Sequence, residues 1–352
     1  MASCSRVEKV KLKEKENMFS LLDLPKLGLE CIFERLSPAD LCSMVRVCSV
    51  LREMCSSDHL WERHLQQKWG KVIGDAAYRE WRSNVASKIG QSSLSKQKKE
   101  KGVLESLRNS RRLSWIGIKP EKSSKVRTTL PVDSVMAFYF ALESGKFWFP
   151  AQIYYRQNGY TGVMLLCYDA QISYDSRTNT FRARYTSQGW GTGEENIGWD
   201  RVRAPPVGVP LDPFVPHVSD CLHDLKPGDH IEIQWKSRTD LPYAWWYALI
   251  GHLEPCDKNQ NHCLCHENDT IVVEFNQYHP TSRWRRTTTS RKYHPRQGNE
   301  IDGFYGGIRK LSDQEEIAKW LSFWPNHVLI RVVKDGPGTM GHARSEEVSE
   351  DY

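Results

Sequence analysis

The chain has 352 residues, with 49 Lys and Arg against 43 Asp and Glu, ten cysteines and 13 tryptophans, a length that suits two or three domains. Its longest apolar runs, Val135 to Leu142 and Tyr243 to Ile250, are eight residues each. They fall far short of the ~20 that a membrane helix needs, so a helical membrane protein is excluded, and the 39% hydrophobic content excludes disorder throughout.

The N-terminus, MASCSRVEKVKLKEKE, is charged where a secretory leader would be apolar. This predicts an intracellular protein, cytoplasmic or nuclear, with reduced thiols. Residues 1–17 read as a charged tail and residues 18–86 as helical. After Leu24-Pro25, apolar residues at Leu29, Ile32, Phe33 and Leu36 keep the spacing of one helix face. Ser37, Pro38 and Asp40 then offer a capping hydroxyl, a proline for the first helical position and a carboxylate for the first turn. The apolar face continues through Leu41, Met44, Val45, Cys48 and Leu51 as a second helix. Asp58 is placed to cap a third, which carries Leu60, Trp61, Leu65 and Trp69. Cys31, Cys42, Cys48 and Cys55 lack metal-type pairing and read as small packing residues. Three short helices make a very small core, so the module is expected to lean on a partner or on the rest of the chain.

Residues 24 to 69, LPKLGLECIFERLSPADLCSMVRVCSVLREMCSSDHLWERHLQQKW, combine Leu-Pro, an Ile-Phe pair eight residues on, Leu-Ser-Pro-x-Asp-Leu, Val-Cys and Leu-Trp in order. This run resembles the F-box, and the chain resembles plant-type F-box proteins without leucine-rich or kelch repeats. The resemblance implies docking on the Skp-type adaptor of a cullin–RING ubiquitin ligase. Leu24, Pro25, Leu29, Ile32, Phe33, Leu36, Pro38, Leu41 and Val45 are the adaptor-binding candidates it carries over. Gly28 departs from a good helix sequence, at a cost of up to ~1 kcal/mol relative to Ala.

Residues 87–128 hold 12 Lys and Arg against 3 Glu, while the other 310 residues hold 37 basic and 40 acidic groups. The positive charge of the chain therefore belongs to one Ser- and Lys-rich segment, read as a basic linker spacing two parts.

From residue 129 to 333 the pattern is β-rich. Strands are predicted at Val135 to Leu142, Phe147 to Tyr155, Gly162 to Tyr168, Thr180 to Tyr185, His230 to Trp235, Trp245 to His252, Thr270 to Phe275 and Trp284 to Thr289. One helix is predicted over Ser312 to Phe323, with Ser312 as cap and Glu315 closing the box. Trp148 to Ile153 and Trp245 to Ile250 share aromatics leading into Ala-x-Ile, and each copy ends in a Val-Arg or Ile-Arg turn, at Val202-Arg203 and Ile308-Arg309. The arrangement is similar to two Tudor or Agenet barrels; the alternative is an unclassified β domain whose Trp and Tyr fill its core. In the first case Phe147, Trp148 and Tyr168, and Trp235, Trp245 and Tyr278, would be candidates for aromatic cages that hold a methylated cation.

Arg283, Trp284, Arg285 and Arg286, continued by Arg291 and Lys292, form a basic, aromatic-bearing strand suited to an acidic partner. Cys256, His262, Cys263, Cys265 and His266 are zinc-type residues but lack a C-x2-C knuckle, and ligands one residue apart on a strand face opposite ways. Reduced loop thiols are therefore the default expectation. The Gly-rich stretch Gly189 to Gly198 lacks the ending of a phosphate loop and reads as a flexible β connection. Residues 334–352 are Gly-rich, then acidic, and read as a disordered tail.

The fold expected is thus α+β: an N-terminal three-helix module, a basic linker and a mainly-β domain. The function expected is a non-catalytic subunit of an SCF-type ligase without cofactor, whose β domain captures an unidentified protein. The alternative is a reader of methyl marks or nucleic acid.

Overall fold

The computed structural model describes residues 21–94, 133–159, 162–187, 190–210, 212–254, 256–257, 263–292, 298–299 and 301–324. The charged tail at 1–17, the linker past residue 94, His262 and the tail at 334–352 lie outside them.

Helix α1 (Lys26–Phe33) is followed by α2 (Pro38–Met44), which starts as its sequence requires. The Ser37 hydroxyl accepts from the Asp40 amide at 3.2 Å, with Pro38 in the first turn. The single second helix expected here is two: the chain breaks after Met44 and resumes as α3 (Ser49–Cys55). Cys48 sits in extended backbone between them, and its Sγ accepts from the Leu51 amide at 3.5 Å. Helix α4 (Asp58–Trp69) has Ser57, not Asp58, at its cap position. Asp58 instead accepts from the Val135 amide at 2.9 Å and so ties in a distant element. Cys42 and Cys55 are buried as expected, whereas Cys31 is exposed.

Helix α5 (Asp75–Leu94) runs eight residues past the boundary at 86 expected for the helical segment. Residues 135–142, expected as a strand, instead lie in helix α6 (Val135–Glu143), with the Ser134 hydroxyl accepting from the Ala137 amide at 3.2 Å. An apolar run buried nearly all round carries no periodicity to separate helix from strand. Here the serine cap and the Met, Ala, Leu and Glu content favour the helix.

Among the described residues that follow, 11 strands form one antiparallel sheet in two branches. Strands β1 (Phe149–Gly159), β2 (Gly162–Asp175), β3 (Thr180–Ser187) and β4 (Trp190–Ile197) form a meander, and β5 (Val202–Arg203) returns to β1. Strands β6 (His230–Lys236), β7 (Ala244–Gly251), β8 (Thr270–Glu274) and β9 (Arg286–Ser290) repeat that meander. Then β10 (Gly298–Asn299) leads to β11 (Gly303–Lys310), which returns to β6. The halves join where Leu166 to Tyr168 of β2 pair with Trp246 to Ala244 of β7. The repeat expected from the sequence is therefore offset by one strand. Ala151-x-Ile153 lies on the first strand of its meander and Ala248-x-Ile250 on the second. The Gly-rich stretch expected as a connection is largely β4.

One apolar core runs from Leu29 and Phe33 through α4, α5 and α6 onto one face of the sheet. Residues on the opposite face, including Cys167, Trp245 and Tyr247, are covered by Ile317 and Trp320 of α7 (Gln314–Ser322). Asp313, not Ser312, caps that helix, accepting from the Glu315 amide at 2.9 Å.

Trp69, at the end of α4 and fully buried, explains how the helices join the sheet. Phe149, Tyr174, Phe181 and Trp199 surround its ring at centroid distances of 5.1 to 6.5 Å. Beside it, Lys68 pairs with Glu143 of α6 and lies 4.6 Å from the Tyr174 ring. Trp81 of α5 packs on Phe138 and Phe147. The elements at both ends of the basic segment thus belong to one packed body, so the small helical module leans on the rest of the chain.

Candidate functional site

The helical module divides its apolar side chains between two sides. Leu29, Phe33 and Leu41 are buried in the core, and Leu36, Pro38 and Val45 are half-buried. The first three are enclosed by their neighbours in this structure and leave almost no surface to offer a partner. Leu24 (43% exposed), Pro25 and Ile32 (37%) remain outward. Sequence periodicity missed Leu27, which is 72% exposed. Leu21, Leu22, Val47 and Val50 are exposed too. So many exposed apolar side chains on one small module mark an interaction surface. Gly28 faces open space, and a Cβ there would meet nothing within 4 Å.

At the centre of the sheet lies a buried ionic cluster that the sequence did not reveal. Glu232 of β6 is fully buried and receives Arg203 from the end of β5, at 2.6 and 3.1 Å, and Arg309 from β11, at 2.9 and 3.2 Å. The Trp320 indole N–H of α7 donates to Glu232 as well, and Glu316 of α7 accepts two bonds from Arg309 at 3.0 Å. Burial alone would raise the Glu232 pKa, but the two guanidiniums outweigh it and hold the carboxyl down at about 2. Nearby, Asp169 is pushed up to about 6 by burial, against the opposing effect of the hydrogen bond from Gln152. The two Arg turns of the repeat therefore close on a single carboxylate and lock both meanders to α7.

The proposed cage residues do not converge. Phe147 is buried against Trp81 and Phe149, and Trp148 is covered by the Arg184 guanidinium at 4.0 Å. Tyr168 pairs with Ile153, five residues further along, a separation of roughly 17 Å at 3.3 Å per residue. In the second set, Trp245 pairs with Gln234 and so faces away from Trp235, joining the core under α7. The residue beside Trp235 is Trp246, at 4.4 Å, with Tyr278 6.3 Å beyond it, all packed within or against the main core. The alternation of strand side chains decides this: one position of slip selects the wrong tryptophan.

Tyr168 and Trp235 do share a groove of about 250 Å³ at the junction of the two meanders. Leu166, Leu241 and Pro242 supply apolar walls, and among the described residues Lys236 is its one charged side chain.

The basic stretch expected as a strand begins as a short 3-10 turn, Arg283–Arg285, before β9. Arg283 lies over the Trp284 ring at 4.8 Å. Arg285 donates to the carbonyls of Asn276 and Tyr278, and Arg286 to the carboxylate of Glu254 and the carbonyl of His252. Arg291 is buried on the carbonyls of Asn268, Leu222 and Leu225, and Lys292 pairs with Asp269 at 2.6 Å. Most of this charge holds loops in place. Of the zinc-type residues, Cys256, Cys263 and Cys265 come together around His252, whereas His266 lies 3.7 Å from Glu267. Among the described residues no helix is long and apolar enough to cross a membrane.

An F-box-like family profile matches residues 21–67, the segment that carries the exposed apolar surface. The chain is 49% identical over 312 residues to F-box protein At2g26850 of Arabidopsis thaliana, covering 88% of this chain and 84% of that protein. It is 47% identical over 327 residues to F-box protein At2g41170 of the same plant, covering 91% and 87%.

Proposed function

The chain belongs to the F-box protein family, and we propose that it serves as the substrate-recognition subunit of an SCF-type (Skp–cullin–F-box) ubiquitin ligase. The observation that carries this reading is the outward apolar set Leu24, Leu27 and Ile32 within the matched F-box segment. A Skp-type adaptor covers that surface, and through it the cullin–RING assembly. The target protein binds the groove between the meanders, where Tyr168, Trp235 and Leu241 take an apolar side chain and Lys236 pairs with an adjacent acidic group. The chain's contribution to catalysis is position: helices and sheet share one core, so a target held on the sheet stands at a fixed place relative to the ubiquitin-bearing subunit.

Proximity labelling with three versions of the intact protein tests this. Wild type is expected to label adaptor, cullin and targets. The combined Leu24→Asp, Leu27→Asp and Ile32→Asp variant should lose adaptor and cullin while keeping targets. Ser237→Trp, which fills the groove, should lose targets while keeping the adaptor. Adaptor labelling that survives the triple substitution would overturn the assignment.

A further inference from the structure

We propose that His252, Cys256, Cys263 and Cys265 form a structural zinc site that closes the long connection between β7 and β8. This goes beyond the ligase reading and does not depend on it. The Nδ1 atom of His252 lies 3.4 Å from Cys256 Sγ, 3.4 Å from Cys263 Sγ and 3.9 Å from Cys265 Sγ. All four ligand atoms fall within 4.8 Å of one another. A tetrahedron with Zn–N near 2.0 Å and Zn–S near 2.3 Å has edges of about 3.5–3.8 Å, so the spacing suits one ion at the centre.

Three thiolates and one imidazole are a recurrent structural zinc set, and with four protein ligands the site has no open position for chemistry. Soft sulfur donors in tetrahedral array select zinc over harder cations. The surroundings support the ligands. The Leu253 amide lies 3.3 Å from Cys265 Sγ, where it donates a hydrogen bond suited to a thiolate, and Arg286 holds the carbonyl of His252. The spacing objection raised by the sequence does not apply, because Cys263 and Cys265 lie at the start of a 3-10 turn rather than on a strand. The fourth ligand is His252, at the end of β7, and not His266. Binding replaces the protons of three thiols: one Zn2+ enters and three H+ leave, giving a centre of net charge −1.

The site staples the end of β7 to the segment before β8 and, through Arg286, to the start of β9. The test is metal analysis of the untagged, full-length protein. About one equivalent of zinc per chain is expected in wild type, falling below roughly 0.1 in Cys263→Ser/Cys265→Ser and in His252→Ala, with His266→Ala unchanged. Since loss of a ligand can also unfold the segment, wild-type protein is assayed in parallel: blocking its thiols with a mercurial should release the zinc. Wild type without zinc, a disulfide among these three cysteines, or zinc retained in both ligand variants would overturn the proposal.

Discussion

Glu232→Gln should destabilise the protein by about 3–5 kcal/mol, as expected when one partner is removed from a buried ion pair. The substitution keeps the side-chain shape, so the loss is electrostatic and not a cavity. Both enclosed guanidiniums would lose their central carboxylate and be left to share Glu316, which lies 3.8 Å from Arg203 and 3.0 Å from Arg309. The pH dependence should change with it. In wild type the Glu232 carboxyl is held at about 2, below its ordinary 4.5. Its stabilisation is therefore complete above pH 4.5 and is lost as pH falls from there toward 2. Asp169 has the opposite sign: its folded pKa of about 6 lies above the ordinary 3.8, so its contribution is present below 3.8 and lost as pH rises through 6. Urea denaturation between pH 2.5 and 7 should show the acid limb of wild type flattened in Glu232→Gln. A change under about 1 kcal/mol at neutral pH would show that the cluster does not hold the sheet.

Trp69→Ala should cost a similar amount, about 3–5 kcal/mol, the range for deleting a large buried aromatic. Its ring fills the space between α4 and four aromatic partners of the sheet and the turn before β5, and a methyl group would leave most of that space empty. Its indole nitrogen has no hydrogen-bond partner among the described residues. Trp69→Phe therefore sacrifices no polar contact and should cost only a fraction of the alanine change. Because the helices and the sheet share a core through this ring, wild type should unfold in a single cooperative transition, at a midpoint lowered by the alanine substitution. Two separate wild-type transitions, one for the helices and one for the sheet, would contradict a shared core.

Both residues mark where the sequence could and could not be read. The helical segment was legible because caps and periodicity are local: Ser37, Pro38 and Asp40 begin α2 where their chemistry requires. Trp69 was legible as an apolar helix position but not as a plug for the sheet, since its partners lie at least 80 residues further along the chain. In His-Ile-Glu-Ile-Gln-Trp, Glu232 reads as the solvent side of an alternating strand. Only the return of β5 and β11 and the cover supplied by α7 enclose it. The same limit misassigned Trp245 in place of Trp246 and omitted His252, whose imidazole becomes a zinc ligand only when β7 ends beside the cysteines. Among the adaptor candidates, periodicity found the helix face but could not say which of its members are enclosed.

The most direct measurement is the affinity of the purified full-length chain for a purified Skp-type adaptor, compared with the Leu24→Asp/Leu27→Asp/Ile32→Asp variant. Each of these side chains is outward, and burying a leucine or isoleucine on association is worth about 1.5–3 kcal/mol. The predicted result is a Kd at least ~100-fold weaker, about 2.7 kcal/mol, with an unchanged unfolding midpoint. An equal Kd for the two proteins would show that this face is not the adaptor's and would contradict the account.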